Sequence, residues 1–263
     1  MLYLSLMSRF IDRLNQVSQA VPQTMGFKAR QPASLKPKIL LIASLAQVNV
    51  NNLVDYVAGA DAGLLHISKA SSGAKTLQKI CQAVPDIPWG GWLQDSGKER
   101  VDQMVEVGFD FVVFPAASTS LAILQSDKLG RVLQVEASLT EGLLRAVDEL
   151  PIDAVFVAGG QEEKHFLTWH HLMTFQRFAD LLTKPLLASV PLDISANELL
   201  ALWEAGVDGV VLGIGEVAGR LKELRQIIEQ LSFPQRKRGR AEALLPRISV
   251  ETGTVTEEEE EEE

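Results

Sequence analysis

Residues 205–219 read AGVDGVVLGIGEVAG. Ala205-Gly206 is a helix stop, and the apolar run 207–212 behind it has the length and composition of a buried strand. Gly213-Ile214-Gly215 breaks that strand, and a new helix opens after it. A glycine turn at this junction lets backbone N–H groups approach an anion at the helix N-terminus.

Working backwards, the chain repeats this unit seven more times. Strands are predicted at 39–44, 62–67, 89–93, 109–114, 131–137, 154–158, 186–190 and 207–212. Helices are predicted at 50–57, 74–83, 98–107, 120–125, 141–150, 169–182, 196–205 and 217–231. Four strands share one junction, in which Asp61, Asp110, Asp153 or Asp208 precedes the apolar run. Strands alternating with helices imply a parallel sheet with helical crossovers. Eight units favour closure into an α/β (β/α)8 barrel, and the first strand lacks the G-x-G-x-x-G turn of a dinucleotide-binding sheet.

Residues 1–38 form an N-terminal capping helix and a linker. Phe10, Ile11, Leu14, Val17 and Val21 recur at helical spacing, Ser8 can cap the helix, and Pro22 lies past its end. The barrel occupies 39–232. Residues 233–263 are expected to be a disordered tail, first basic (Arg236, Lys237, Arg238, Arg240) and then acidic (Glu257 to Glu263). A net charge of -9 misleads, because that terminal run holds seven of the 34 acidic residues. The rest carries 25 basic against 27 acidic groups, so no nucleic-acid surface is expected. Cys81 stands alone and reads as a small apolar residue in a reducing, cytoplasmic setting. No apolar run reaches the roughly 20 residues of a membrane span, and Arg9, Asp12 and Arg13 interrupt the apolar start. Met1 and Met7 both remain candidate starts, and a homo-oligomer is left open.

Active sites of such barrels lie at the C-terminal ends of the strands. This chain places Ser44, His66 with Lys69, Gln94 with Asp95, Pro115, Glu136 with Ser138, residues 159–162, Ser189 with Asp193, and residues 213–215 there. In strand 5, Leu133, Val135 and Ala137 form an apolar face that should meet the helices. Gln134 and Glu136 then face the barrel mouth, where a carboxylate suits a general base or a metal ligand; a structural hydrogen-bond hub is the alternative. His66, at the end of strand 2, is the candidate acid partner, against a structural histidine. Lys69, Ser189, Gly213 and Gly215 are candidate anion-binding groups. The long connection 161–168 reads as a lid, with Glu162 and His165 in it and Trp169 as its apolar anchor. Its histidines and carboxylates match no zinc spacing, so no metal site is expected.

The run Gly206-Val207-Asp208-Gly209-Val210-Val211-Leu212-Gly213 resembles the G-A-D-G-V-V-V-G ending of the phosphate-binding (β/α)8 barrels, such as tryptophan synthase α and thiamine phosphate synthase. That resemblance covers residues 198–215 and implies an aldolase-type barrel that binds a phosphate near Gly213. Two places depart from it. Ser189-Val190-Pro191-Leu192-Asp193 stands where these families carry a Gly-Gly pair, and Glu216 would repel a phosphate. Strand 6 contains no lysine, so imine chemistry is not expected. The resulting expectation is a barrel binding a small phosphorylated or carboxylated metabolite, with lyase or isomerase chemistry by proton transfer. A non-catalytic scaffold acting through the tail is the alternative, and an FMN-binding barrel is a third.

Overall fold

A computed structural model describes residues 8–18, 38–45, 53–67, 74–93, 104, 107–158, 166–213, 219–234 and 236. Eight parallel strands close into a barrel in sequence order. They are β1 (Leu40–Leu45), β2 (Ala62–Ile67), β3 (Trp89–Leu93), β4 (Phe111–Pro115), β5 (Gly130–Val135), β6 (Ala154–Val157), β7 (Leu186–Val190) and β8 (Gly209–Gly213). Seven helices are described: α1 (Arg9–Ser18), α2 (Leu53–Val57), α3 (Ala74–Ala83), α4 (Glu141–Glu149), α5 (Trp169–Leu181), α6 (Ala196–Glu204) and α7 (Arg220–Gln230). No helix among the described residues is long and apolar enough to cross a membrane.

Sequence reading places β4 and β8 two residues too early. Phe109 and Val207 are buried and apolar, but their N–H groups bond back to Met104 and Leu202 of the preceding helical segments. They finish the helix-to-strand turn instead of starting the strand. Gly206 makes that turn possible at β8: its φ is +91°, and a Cβ there would lie 2.3 Å from the Cβ of Ala179. β5 ends at Val135, earlier than expected, because Leu139 N–H bonds Glu136 O and turns the chain out of the sheet. Glu136 therefore lies one residue beyond the strand.

The four aspartates at the strand junctions share one backbone role. Each N–H donates at 2.8 Å to a carbonyl of the preceding strand: Asp61 to Leu41, Asp110 to Trp89, Asp153 to Arg131 and Asp208 to Leu186. Three carboxylates also accept that same residue's N–H, at 2.8 Å for Leu41, 2.7 Å for Arg131 and 2.8 Å for Leu186. Asp110 differs. Its carboxylate accepts from Ser8 Oγ at 2.6 Å and from the N–H groups of Arg9 and Phe10 at 2.9 Å. It thus satisfies donors that the first turn of α1 leaves unpaired, where a negative charge is favoured. Docked this way, α1 covers the lower end of the barrel, and Phe10 stacks on Phe111 with ring centroids 4.1 Å apart.

The register slips eight residues in one circuit of the sheet. With that stagger, inward side chains at one height come from alternate strands. From the bottom, the layers are Ala62, Phe111, Ala154 and Gly209; then Ile42, Gly90, Val132 and Leu187; then Leu64, Val113, Phe156 and Val211. All twelve are buried. Size alternates with need: a Cβ on Gly90 would sit 2.4 Å from the ring of Phe111.

The body extends past the boundary expected at residue 232. Trp203 Nε1–H donates to Pro234 O at 2.9 Å, and its ring meets Phe233 at 5.1 Å. The Arg236 guanidinium lies 3.4 Å from the centroid of Trp203 and pairs with Asp208 at 2.5 Å. The first residue of the basic cluster is therefore a structural cation, while the rest of the tail lies outside the described residues. Breaking a buried pair leaves a charge uncompensated, which costs about 3–5 kcal/mol. Asp208→Ala should lose about that much in equilibrium urea denaturation, and a loss below about 1 kcal/mol would contradict this account.

Candidate functional site at the barrel mouth

Above the three apolar layers the interior changes character. The next layer is Ser44, Trp92, Gln134 and Ser189, and over it stand His66, Pro115 and Gly213. The side chains are linked. Ser44 Oγ lies 2.9 Å from His66 Nε2. The His66 ring tilts against Trp92 at 4.4 Å between centroids, and Trp92 meets Phe156 edge-on at 5.2 Å. Trp92 Nε1–H donates across the barrel to Gln134 Oε1 at 2.7 Å. An indole nitrogen only donates, so the oxygen of the Gln134 amide must face it. The amide NH2 group is left for other acceptors.

Every one of these side chains is neutral or held so. Ser44 is 3% exposed, and burial lowers the pKa of His66 from its ordinary value, because a buried imidazolium loses solvation. His66 and Gln134 offer hydrogen-bond donors around an aromatic centre of Trp92 and Phe156. Such an arrangement binds an oxygen that carries or develops negative charge without adding a fixed charge.

On the opposite arc, half-buried Ser189 on β7 and exposed Gly213 on β8 flank the strand pair that leads back to Ser44. A Cβ on Gly213 would meet nothing within 4 Å, so this position opens into space. Glu136 is exposed at the rim, its Oε2 accepting from Ser138 Oγ at 3.2 Å. Arg220, at the first position of α7, donates to Leu192 O at 2.8 Å and Ile194 O at 3.1 Å, tying the β7 loop to that helix.

Of the residues selected from sequence, His66, Ser44, Ser189 and Gly213 share the upper interior. Lys69, Gly215, Glu162 and His165 lie outside the described residues. The expected lid anchor, Trp169, is 82% exposed. It stands at the first turn of α5 and lines an outer groove of about 730 Å³ with Met173, Asp180 and Glu204, while residues 161–165 of the expected lid lie outside the described residues. His171 bonds Thr168 N–H through Nδ1 at 3.0 Å as part of a helix cap, which accounts for its place in that histidine-rich stretch. Burial raises the Cys81 thiol to about 11, which makes it inert.

Trp92 and Gln134 were not selected as site residues. Both were legible: Gln134 is a polar residue inside an apolar strand, and Trp92 alternates with Gly90 on the face opposite Gly91.

Solved structures share this architecture. A variant tryptophan synthase α-subunit from Pyrococcus furiosus matches with a TM-score of 0.55 at 14% identity, over 74% of this chain and 98% of that one. An HpcH/HpaI aldolase from Desulfitobacterium hafniense DCB-2 matches with a TM-score of 0.52 at 14% identity, over 75% of this chain and 95% of that one. No protein-family model and no curated protein matches the chain. The chain is a TIM barrel, and at these identities the likeness is one of fold alone.

The His66 environment sets a sign for acid stability. Its folded pKa lies below the unfolded value near 6.5, so the unfolded chain binds the extra proton. The stability this contributes is present above that pH, and it falls as pH drops through the unfolded and then the folded pKa. His66→Gln should flatten the stability curve between about pH 7 and 5, measured by urea denaturation at stepped pH. An unchanged slope would contradict the assignment.

Proposed function

We propose that this barrel is an enzyme of the lyase or isomerase type that moves a proton next to a carbonyl group in a small anionic metabolite. The observation that carries the reading is the change from apolar layers to a linked, neutral, donor-rich layer at the end of the barrel where such folds do chemistry. In this reading the Glu136 carboxylate removes a proton from carbon. The C–H electron pair forms a carbon–carbon double bond as the carbonyl π pair moves to oxygen. His66, with the Gln134 amide, hydrogen-bonds that enolate oxygen. Where the deprotonated carbon bears a hydroxyl, that hydroxyl passes its proton to the enolate oxygen and becomes the new carbonyl as the first proton returns to the former carbonyl carbon, which gives an isomer. Where the carbon on its other side bears a leaving group, the enolate pair reforms the carbonyl and expels that group, which gives a lyase product.

The substrate's phosphate or carboxylate is assigned to the arc of Ser189 and Gly213, with Lys69 and Gly215 completing it. Ser189 supplies a hydroxyl and Gly213 an unobstructed backbone. The departures noted above, Glu216 and the missing Gly-Gly pair, favour a carboxylate or a singly contacted phosphate over a deep phosphate cup.

The test is a thermal-shift screen of the full chain with phosphorylated and carboxylated metabolites, inorganic phosphate and FMN. A ligand at 100 times its dissociation constant adds about 2.7 kcal/mol, a readable shift. Gly213→Asp should remove the shift without unfolding the protein, since that position has room. A shift with FMN alone would replace this reading by a flavin site, and none with any compound would favour the scaffold reading. With a substrate in hand, Glu136→Gln should lower turnover roughly 10²–10⁴-fold with the fold intact.

A further inference from the structure

We infer that Ser44 is a positioning residue that locks His66 as the Nδ1–H tautomer, so that His66 presents a neutral hydrogen-bond donor to an acceptor oxygen of the ligand. The inference rests on the reading of the mouth given above and specifies how its histidine works.

It follows from accounting for protons. A serine hydroxyl carries one hydrogen, and a buried hydroxyl needs an acceptor for it. Ser44 is 3% exposed, and among the described residues His66 Nε2, at 2.9 Å, is its only hydrogen-bond partner. If Nε2 carried the proton and donated to Oγ, the hydroxyl hydrogen would have no acceptor among those residues. With Oγ–H donating to Nε2, that nitrogen is unprotonated, and the neutral ring holds its proton on Nδ1. Nδ1 bonds none of the described residues, so it is the nitrogen left for a ligand.

The same contact resists full protonation. A proton on Nε2 would oppose the serine hydrogen and force that hydroxyl to turn away from its one acceptor among the described residues. The ring is also held in place: Trp92 lies against it, and Gln134 fixes Trp92. What meets His66 must therefore accept a hydrogen bond, as a carbonyl, enolate, carboxylate or phosphoryl oxygen does. An ammonium group, which has no acceptor, does not fit this position.

The experiment is ¹⁵N NMR of the full chain labelled on histidine, with the His66 signals assigned by their loss in His66→Gln. The expected wild-type spectrum shows a protonated Nδ1 and an unprotonated Nε2, the ratio of that tautomer to the other standing in excess of the ratio in a free neutral imidazole side chain by roughly fivefold to tenfold, the bias one buried hydrogen bond supplies. Ser44→Ala should erase that excess, and Ser44→Thr, which keeps the hydroxyl, should retain it. A wild-type ring protonated on Nε2, or a Ser44→Ala ring with unchanged tautomer, would overturn the inference. If Ser44→Ala fails to fold, the wild-type and Ser44→Thr spectra decide alone. No substrate enters the measurement, so an Nδ1–H ring in a protein that binds nothing in the thermal screen would overturn the enzyme reading and the ligand contact while upholding Ser44 as the residue that sets the tautomer.

Discussion

The carboxylate at the start of each even-numbered strand is the constraint on which the barrel's lower end depends. A parallel sheet that closes on itself still leaves backbone N–H groups beyond the last ladder bond, and buried donors without partners are costly. Asp61, Asp153 and Asp208 meet this need in one way, each returning a carboxylate to the N–H of the preceding strand. Asp110 applies the same charge to another element and holds α1. The bottom of the barrel is thus closed by one residue type used for two purposes. Asp61 and Asp208 also pair with Arg225 and Arg236, so the last helix and the segment after it are fastened to the same ring.

Polarity then rises along the barrel axis. Three layers of aliphatic, aromatic and glycine residues fill the lower interior, and the first hydroxyl and amide side chains appear only in the fourth. This order follows from desolvation. A hydroxyl or amide deep in the barrel would need partners that the narrow interior cannot supply, whereas near the mouth Ser44 finds His66, and Gln134 finds Trp92. Titratable groups move to the rim for the same reason: His66 is held neutral, and Glu136 stands in solvent.

The fold was readable because its signals were local and repeated. Short apolar runs, helix stops and the junction aspartates each recur within a few tens of residues, and strands β2, β3 and β7 begin and end where the alternation places them. The errors fall where two physical demands produce the same residue type. Phe109 and Val207 are apolar because they are buried, and burial alone does not distinguish a strand from the turn that feeds it. Trp169 is apolar yet exposed on α5, and residue type alone does not distinguish a buried ring from a surface one. Arg236 shows the opposite case: within a run of basic residues, nothing marks the one that reaches back to Asp208.

The candidate site was legible only residue by residue. Parity identifies Gln134 as inward-facing, and position identifies His66 as terminal, but neither shows that the two are joined through Trp92. That connection depends on the barrel's stagger, which sets Ser44, Trp92 and Gln134 at one height although 90 residues separate the first from the last. A stagger of eight is a property of the closed sheet and has no local signature. It also explains why the layer works as a unit. Odd-numbered strands supply the fixed hydrogen-bonding groups, and the even-numbered strands place His66 and Gly213 half a step above them, open to whatever enters the mouth. Chemistry at that level requires side chains that are already bonded from below and still have one polar atom unused. His66 and Gln134 meet that condition, and they do so because Ser44 and Trp92 occupy their other atoms.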